Sequence, residues 1–346
     1  MRPLTLGRLF LRCGILAVIL FVVVVIALKL GAVQVSLYGL GRDLIRLMLH
    51  QTSAISTEYG MIVLDIRLPR ILLAIVVGAS LSVAGTSFQA LLRNPLADPY
   101  VLGVSSGAAV GAIVALIAES HLSLSPELAG LLTPVCAFVG AGLTIAAVYL
   151  LGRREGQIDS GTLLLGGLIT ASFLNAVIMF LLTLPAGGNL RGAVYWLMGD
   201  LSTIPEFSLL GALFIGFLVA TGVIYTTAAD LNLLLAGEKE ARHLGVDVPR
   251  VRIVVYLAAS ILTGIAVSLS GAIGYVGLLV PHVMRMIFGS DHRLLLPASA
   301  LGGAIALVIA DTLARTIVAP SQLPVGAMTA AAGAPLFIYL LRRRLT

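Results

Sequence analysis

The chain has 346 residues, 59% of them hydrophobic and only 11% charged, with a formal net charge of +6 and a mean hydropathy of +1.07. Soluble globular chains are roughly 45–50% apolar and about 25% charged, so the composition excludes a soluble protein and marks a polytopic membrane protein. In a soluble chain the positive balance would point to nucleic acid; here the basic residues border apolar runs, and membrane orientation accounts for them.

A membrane-crossing helix needs about 20 mostly apolar residues, within a range of about 17–25. Ten segments meet or approach that length: roughly 10–30, 69–92, 100–118, 129–151, 161–184, 207–229, 251–271, 274–289, 294–314 and 324–342. The first follows several arginines but lacks a small-residue cleavage site with a soluble domain after it, so it is read as a retained helix. The third and eighth are short and glycine-rich, which suits segments shielded by other helices. No linker or low-complexity tract divides the chain, so residues 1–346 are read as one transmembrane domain.

Ten spans put both termini on one side. With the amino terminus inside, 15 Lys and Arg fall inside and 7 outside, while the acidic residues split 8 and 8. Sorting of positive charge alone is the expected pattern, and both termini are assigned to the cytoplasm. The outer stretch 31–66 is expected to hold a short amphipathic piece around Leu40 to Leu49. Between Pro185 and Pro205, AVYWLMGDL reads as a short outer helix, with Tyr195 and Trp196 suited to the interface.

No catalytic constellation is present. His50, His121, His243, His282 and His292 lack metal-ligand spacing, Cys13 and Cys136 lie in apolar runs as packing residues, and neither GxSxG nor HExxH occurs. The P-loop pattern GxxxxGK[ST] is absent, so this chain does not hydrolyse ATP by itself. On the cytoplasmic side, DLNLLLAGEKEARHLGVDVPR (230–250) holds a short helix from Glu238 to Leu244, ended by Gly245, with Pro249 restarting the chain. Its charged surface taken alone would be a solvated loop. Arg67 and Arg70 share a helical face at the outer end of the second span, with Pro69 in a first helical turn; taken alone they would be snorkelling side chains. Asp311 and Arg315, four apart, can form a local pair. Asn94 can cap the third segment.

Five segments together carry a resemblance: RLPRILLAIVVGASLSVAGTSFQALLRNPLADPYVLGVSSGAAVG (67–111), YWLMGDLS (195–202), LNLLLAGEKEARHLGVDV (231–248), GAIGYVGLLVPHVMRMIFGSDHR (271–293) and QLPVGAMTAAAGAPLFIYLLRRR (322–344). In this order they resemble the iron-siderophore, haem and cobalamin permeases of ABC importers, the FecCD family, over nearly the whole chain after the first helix. The resemblance implies an all-α integral membrane protein with the type II ABC importer permease fold, in the bacterial inner (plasma) membrane. It implies a homodimer surrounded by lipid, two ATP-binding cassette subunits that carry ATP and Mg, and a soluble or lipid-anchored substrate-binding protein. No cofactor or metal is expected on this chain. Ala236, Gly237, Glu238, Ala241, Leu244, Gly245 and Val246 are then the ATPase-coupling positions. Arg67, Arg70 and Arg315 dock the binding protein, and Asn94, Leu96, Ser160 and Gly161 form an inner gate. The alternative is a proton- or ion-driven secondary transporter, which would call for inverted repeats and an ionisable site inside the membrane.

Overall fold

The computed structural model describes residues 5–31, 61–122, 125–154, 157–158, 160–184, 190–203 and 205–345. The expected amphipathic piece around Leu40 to Leu49 lies outside them. Helix α1 is Leu6–Lys29, and a wide π-helical turn, Met61–Arg67, leads into α2, Leu68–Leu91. Pro69 is the second residue of α2. It has no N–H to return to the turn before it, and the change from π-helical to α-helical register falls beside it, between Arg67 and Leu68.

A short 3₁₀ turn, Pro99–Leu102, follows the break after α2, and Gly103 at φ +74° separates it from α3, Val104–His121. The third span therefore begins four residues later than hydropathy places it. Helix α4 (Pro126–Gly152) and α5 (Ser160–Thr183) are joined by the two-residue strands β1 (Arg153–Arg154) and β2 (Gln157–Ile158), which pair antiparallel. Helix α6, Leu190–Met198, occupies the position expected for the short helix containing Trp196. Helix α7 (Phe207–Thr226) passes through Thr227 into α8 (Ala228–Ala236), and α9 (Glu238–His243) follows. Helix α10 is Val248–Ser270, α11 Val276–Phe288, α12 His292–Thr316 and α13 Val325–Leu345. Among the described residues eight helices are long and apolar enough to span a membrane, and α11 and part of α13 are shorter apolar helices. Together they account for the ten segments expected from hydropathy.

The fold is built around α2. From Ile71 to Leu91 nearly every side chain is buried, whereas α1, α5 and α7 present large apolar side chains outward. Small residues make this burial possible. At Gly78 a Cβ would stand 2.3 Å from the Gly303 carbonyl oxygen on α12, and at Gly85 it would stand 1.8 Å from that of Gly277 on α11. Two neighbouring helices thus meet α2 backbone to backbone, where even a methyl group has no room.

The two chain breaks also satisfy each other. The Tyr100 hydroxyl, in the 3₁₀ turn, accepts the backbone N–H of Ile273 at 3.0 Å, in the bend between α10 and α11. Irregular backbone is tolerated at membrane depth where protein supplies its partners.

Gly85→Val is expected to lower the melting temperature of the purified protein in detergent, since overpacking of this kind costs about 1–3 kcal/mol or more. Gly130→Ala on α4, where a Cβ meets nothing within 4 Å, is expected to be neutral or slightly stabilising. Thermal unfolding followed by tryptophan or dye fluorescence compares the two directly.

Candidate functional site

The polar residues gather at the two ends of the bundle. At the end where α2 begins, Asp311 on α12 is 1% exposed and accepts from Arg70 Nε at 2.8 Å. Arg70 Nη2 also lies 2.8 Å from Asp311 Oδ1, and Arg315 Nε lies 2.9 Å from Oδ2. Arg70 Nη1 donates to Gln322 Oε1 at 2.7 Å. Arg67 Nη1 donates to the Leu28 and Lys29 carbonyls at 2.6 and 3.2 Å, tying in the end of α1.

All three arginines are buried, so Arg67 and Arg70 do not snorkel outward from the end of α2. For Arg70 and Arg315 the physical reason is Asp311, a buried carboxylate that needs counter-charge; Arg67 is turned in by the carbonyls at the end of α1. The Asp311–Arg315 pair was legible from its spacing. The Arg70–Asp311 pair, spanning 241 residues of sequence, was not.

At the other end of α2 the chain reverses through Arg93, whose backbone sits at φ +48°. The next residue, Asn94, accepts the Leu96 N–H on its side-chain oxygen at 2.9 Å, which fixes a tight turn and leaves Leu96 exposed. Asn94 therefore closes its own turn; the N-cap of α3 is Gly103. Ser160 and Gly161 open α5, and Gly161 is exposed; the Ser160 side chain lies outside the described residues. Further along α5, Gly167 packs against Val101 and Leu102, in the 3₁₀ turn that follows Asn94–Leu96.

Beside this turn lies the 230–250 segment. Gly237, at φ +137°, separates α8 from α9, a conformation that side chains rarely adopt. Helix α9 stops in a Schellman motif: Gly245, at φ +87°, donates to the Arg242 carbonyl and Val246 donates to that of Ala241, each at 3.0 Å. Leu244 is 66% exposed, and Ala236, Lys239, Glu240, Arg242 and His243 are exposed with it. Ala241 is fully buried and Val246 is 8% exposed; both join the core with Val248 and Val251. They correct the set of outward-facing positions, because the Schellman turn folds Val246 back over Ala241. The outward set is Ala236, Leu244 and Gly245, together with Lys239, Glu240 and Arg242 of the charged surface, and His243.

Glu238, at the start of α9, receives two guanidiniums on one oxygen. Arg93 Nη2 donates to Glu238 Oε1, and Arg252 Nη2 on α10 donates to the same atom at 2.5 Å. A second clamp fixes the start of α12. Asn232 on α8 donates to Asp291 Oδ1 and accepts from the His292 backbone N–H, both at 2.8 Å. The Arg293 side-chain bond, helped by that of Asn232 and opposed by partial burial, holds the Asp291 carboxyl at about 2. Its charge persists while pH stays above that value. Gln89 joins α2 to α11, accepting from Arg285 at 3.0 Å and donating to the Leu278 carbonyl at 3.2 Å.

Among the described residues no group of three or more His, Cys, Asp or Glu is placed to hold a metal. The arrangement offers a bundle with two polar ends, one carrying a short, outward-facing, structurally braced helix.

Comparison with known proteins agrees with this anatomy. The chain is 45% identical over 283 residues to the cobalamin import system permease protein of Halobacterium salinarum, covering 82% of this chain and 74% of the relative. It is 44% identical over 288 residues to the hemin transport system permease protein of Yersinia pestis, covering 81% and 83%. A solved metal-chelate type ABC transporter in an inward-facing conformation superposes with a TM-score of 0.78 at 31% identity, over 96% of this chain and 98% of that one. The model of the FecCD transport family matches residues 19–343, nearly the full run of helices just described, and the chain belongs to that family.

Proposed function

We propose that this permease imports a ferric siderophore, or else haem or cobalamin, handed to it by a substrate-binding protein and driven by ATP hydrolysed on two separate cassette subunits. It acts as a homodimer in the bacterial inner membrane, with both termini in the cytoplasm. The observation that carries this reading is the braced α9 segment, which presents Leu244 and a charged rim at one end of the bundle. The substrate classes rest on the relatives named above. The cytoplasmic end is taken as the one carrying Arg93, Glu238, Arg252, Arg285 and Arg293, in line with the charge sorting.

The outer arginines enter the docking proposal in a changed form. Arg70 and Arg315 share the one carboxylate of Asp311, and Arg67 is held beside them by the Leu28 and Lys29 carbonyls, so this cluster carries more guanidinium than carboxylate charge although its side chains are turned inward. Such a field favours approach of acidic residues on a binding protein. The gate is proposed at Asn94 and Leu96, with Ser160 and Gly161 opposite.

Reconstituted alone, the permease is expected to show neither ATPase activity nor uphill transport, and the cognate ATPase restores both. Uptake driven by a proton gradient without the ATPase would overturn the reading.

Leu244→Asp is expected to weaken ATPase association by roughly thirtyfold, the scale of a central contact residue, while leaving the permease correctly inserted. Ala241→Trp is expected instead to destabilise the permease itself, because that side chain has no room. Co-purification and thermal unfolding, measured on both variants, separate contact from core.

Asp311→Asn leaves Arg70 and Arg315 without their shared counter-charge and is expected to cost about 3–5 kcal/mol of stability. Arg67→Gln, which leaves Asp311 with both partners and loosens only the tie to the end of α1, is expected to cost less stability than Asp311→Asn while flattening the dependence of binding-protein affinity on salt. Titrations at several salt concentrations test it; identical slopes for Arg67→Gln and wild type would remove Arg67 from docking.

A further inference from the structure

We infer that the Arg93–Glu238–Arg252 triad is the mechanical link by which movement of the α9 helix reaches the turn at Asn94–Leu96, with Glu238 as the positioning residue. The inference rests on the proposed roles of α9 and of that turn.

The geometry is specific. Glu238 is the first residue of α9, directly after Gly237 at φ +137°. Glycine alone takes that conformation readily, so Gly237 sets the angle at which α9 leaves α8. Arg93 is the residue at which the chain leaves α2, and it holds a left-handed backbone conformation that arginine seldom takes. An unfavourable conformation of this kind persists only where its surroundings over-determine it. Its side chain runs from that pivot to Glu238 Oε1, while its backbone continues into Asn94 and the exposed Leu96.

Arg252 supplies the fixed point. It is 7% exposed, on the first turns of α10, and its guanidinium meets the same Glu238 oxygen at 2.5 Å. Helix α10 is held firmly near this position: Asp247 caps its first turn by accepting from the Arg250 N–H at 3.2 Å, and Val251 and Val255 are buried. One carboxylate oxygen thus joins a buried, anchored arginine to a partly exposed arginine on the turn. A displacement of α9 moves Glu238 against α10 and draws Arg93 with it, so force on the cytoplasmic surface arrives one residue from Asn94. Neither arginine is needed for the outward-facing surface of α9, which separates transmission from ATPase contact.

The test uses the full-length permease assembled with its ATPase in lipid vesicles. Cys13 and Cys136 are replaced by Ala, and Leu96→Cys serves as a reporter. The rate at which a maleimide labels that cysteine is compared without nucleotide and with ATP plus vanadate. The triad intact, the rate is expected to change with nucleotide. In Arg93→Gln and in Glu238→Gln that change is expected to shrink by about two- to fivefold, the range for a partly exposed ion pair, and in Arg93→Gln the ATPase still co-purifies and hydrolyses ATP. Arg93→Lys, which keeps the charge, is expected to retain most of the response. Because Arg93 is exposed, its replacement leaves the fold intact, and thermal unfolding verifies this.

An unchanged response in both Gln variants overturns the link. Loss of ATPase association in Arg93→Gln also overturns it, since Arg93 would then be a contact. A reporter indifferent to nucleotide with the triad intact removes the turn from gating, and the link with it. Failure of the wider coupling reading appears separately, as normal ATPase association in Leu244→Asp.

Discussion

The constraint on which the structure depends is the burial of α2. A helix surrounded by other helices gains little from hydrophobic contrast in a membrane, where lipid tails are as apolar as leucine. It must be held by close packing and by polar groups that find partners. Helix α2 does both. Small residues along its length admit α11 and α12 to backbone distance, and its few strongly polar side chains lie where a partner waits. Arg70 meets Asp311 near one end, and Gln89 meets Arg285 and Leu278 near the other. Thr86 and Ser87, between them, return their hydroxyls to carbonyls one turn earlier, at 2.9 and 2.8 Å.

The two ends are built differently, and the difference matches the work proposed for each. Around Asp311 the charges are buried and tied to three neighbouring segments, which makes that end stiff. Around Glu238 the ion pairs are partly exposed, and the local backbone uses left-handed residues at Arg93, Gly237 and Gly245. Such a region can be reset by a partner at small energetic cost, since partly exposed pairs contribute little individually.

Hydropathy alone located the membrane helices, because length and apolarity are the same physical requirement that the bilayer imposes. The stop at Gly245 was equally legible, since a helix end needs a residue that tolerates positive φ. What could not be read was direction. The inward turn of Arg70 depends on an aspartate far away in sequence and that of Arg67 on the carbonyls at the end of α1, and nothing local to RLPR announces either. Ala241 was placed on the wrong face of α9 because a helix of six residues has too few turns for periodicity to identify its buried side. Arg93 was counted only as an inside charge, and its pairing with Glu238 joins segments 145 residues apart. Sequence reading is strong where the cause is local and weak where a polar group chooses a distant partner.

The two glycine contacts along α2 bear on how the bundle deforms. Gly78 and Gly85 are seven residues apart, two helical turns, so they lie on nearly the same face. Where backbone touches backbone, no side chain remains to change rotamer and absorb sliding. Helices α2, α11 and α12 are therefore expected to travel as one rigid block. Shear would fall instead on contacts cushioned by long side chains, such as those Phe138 and Ile265 make with Gly264 and Gly216. Alternating exposure of the passage would then be a relative motion of a stiff slab and a compliant one, with the seam running between α10 and the helices α4 and α7.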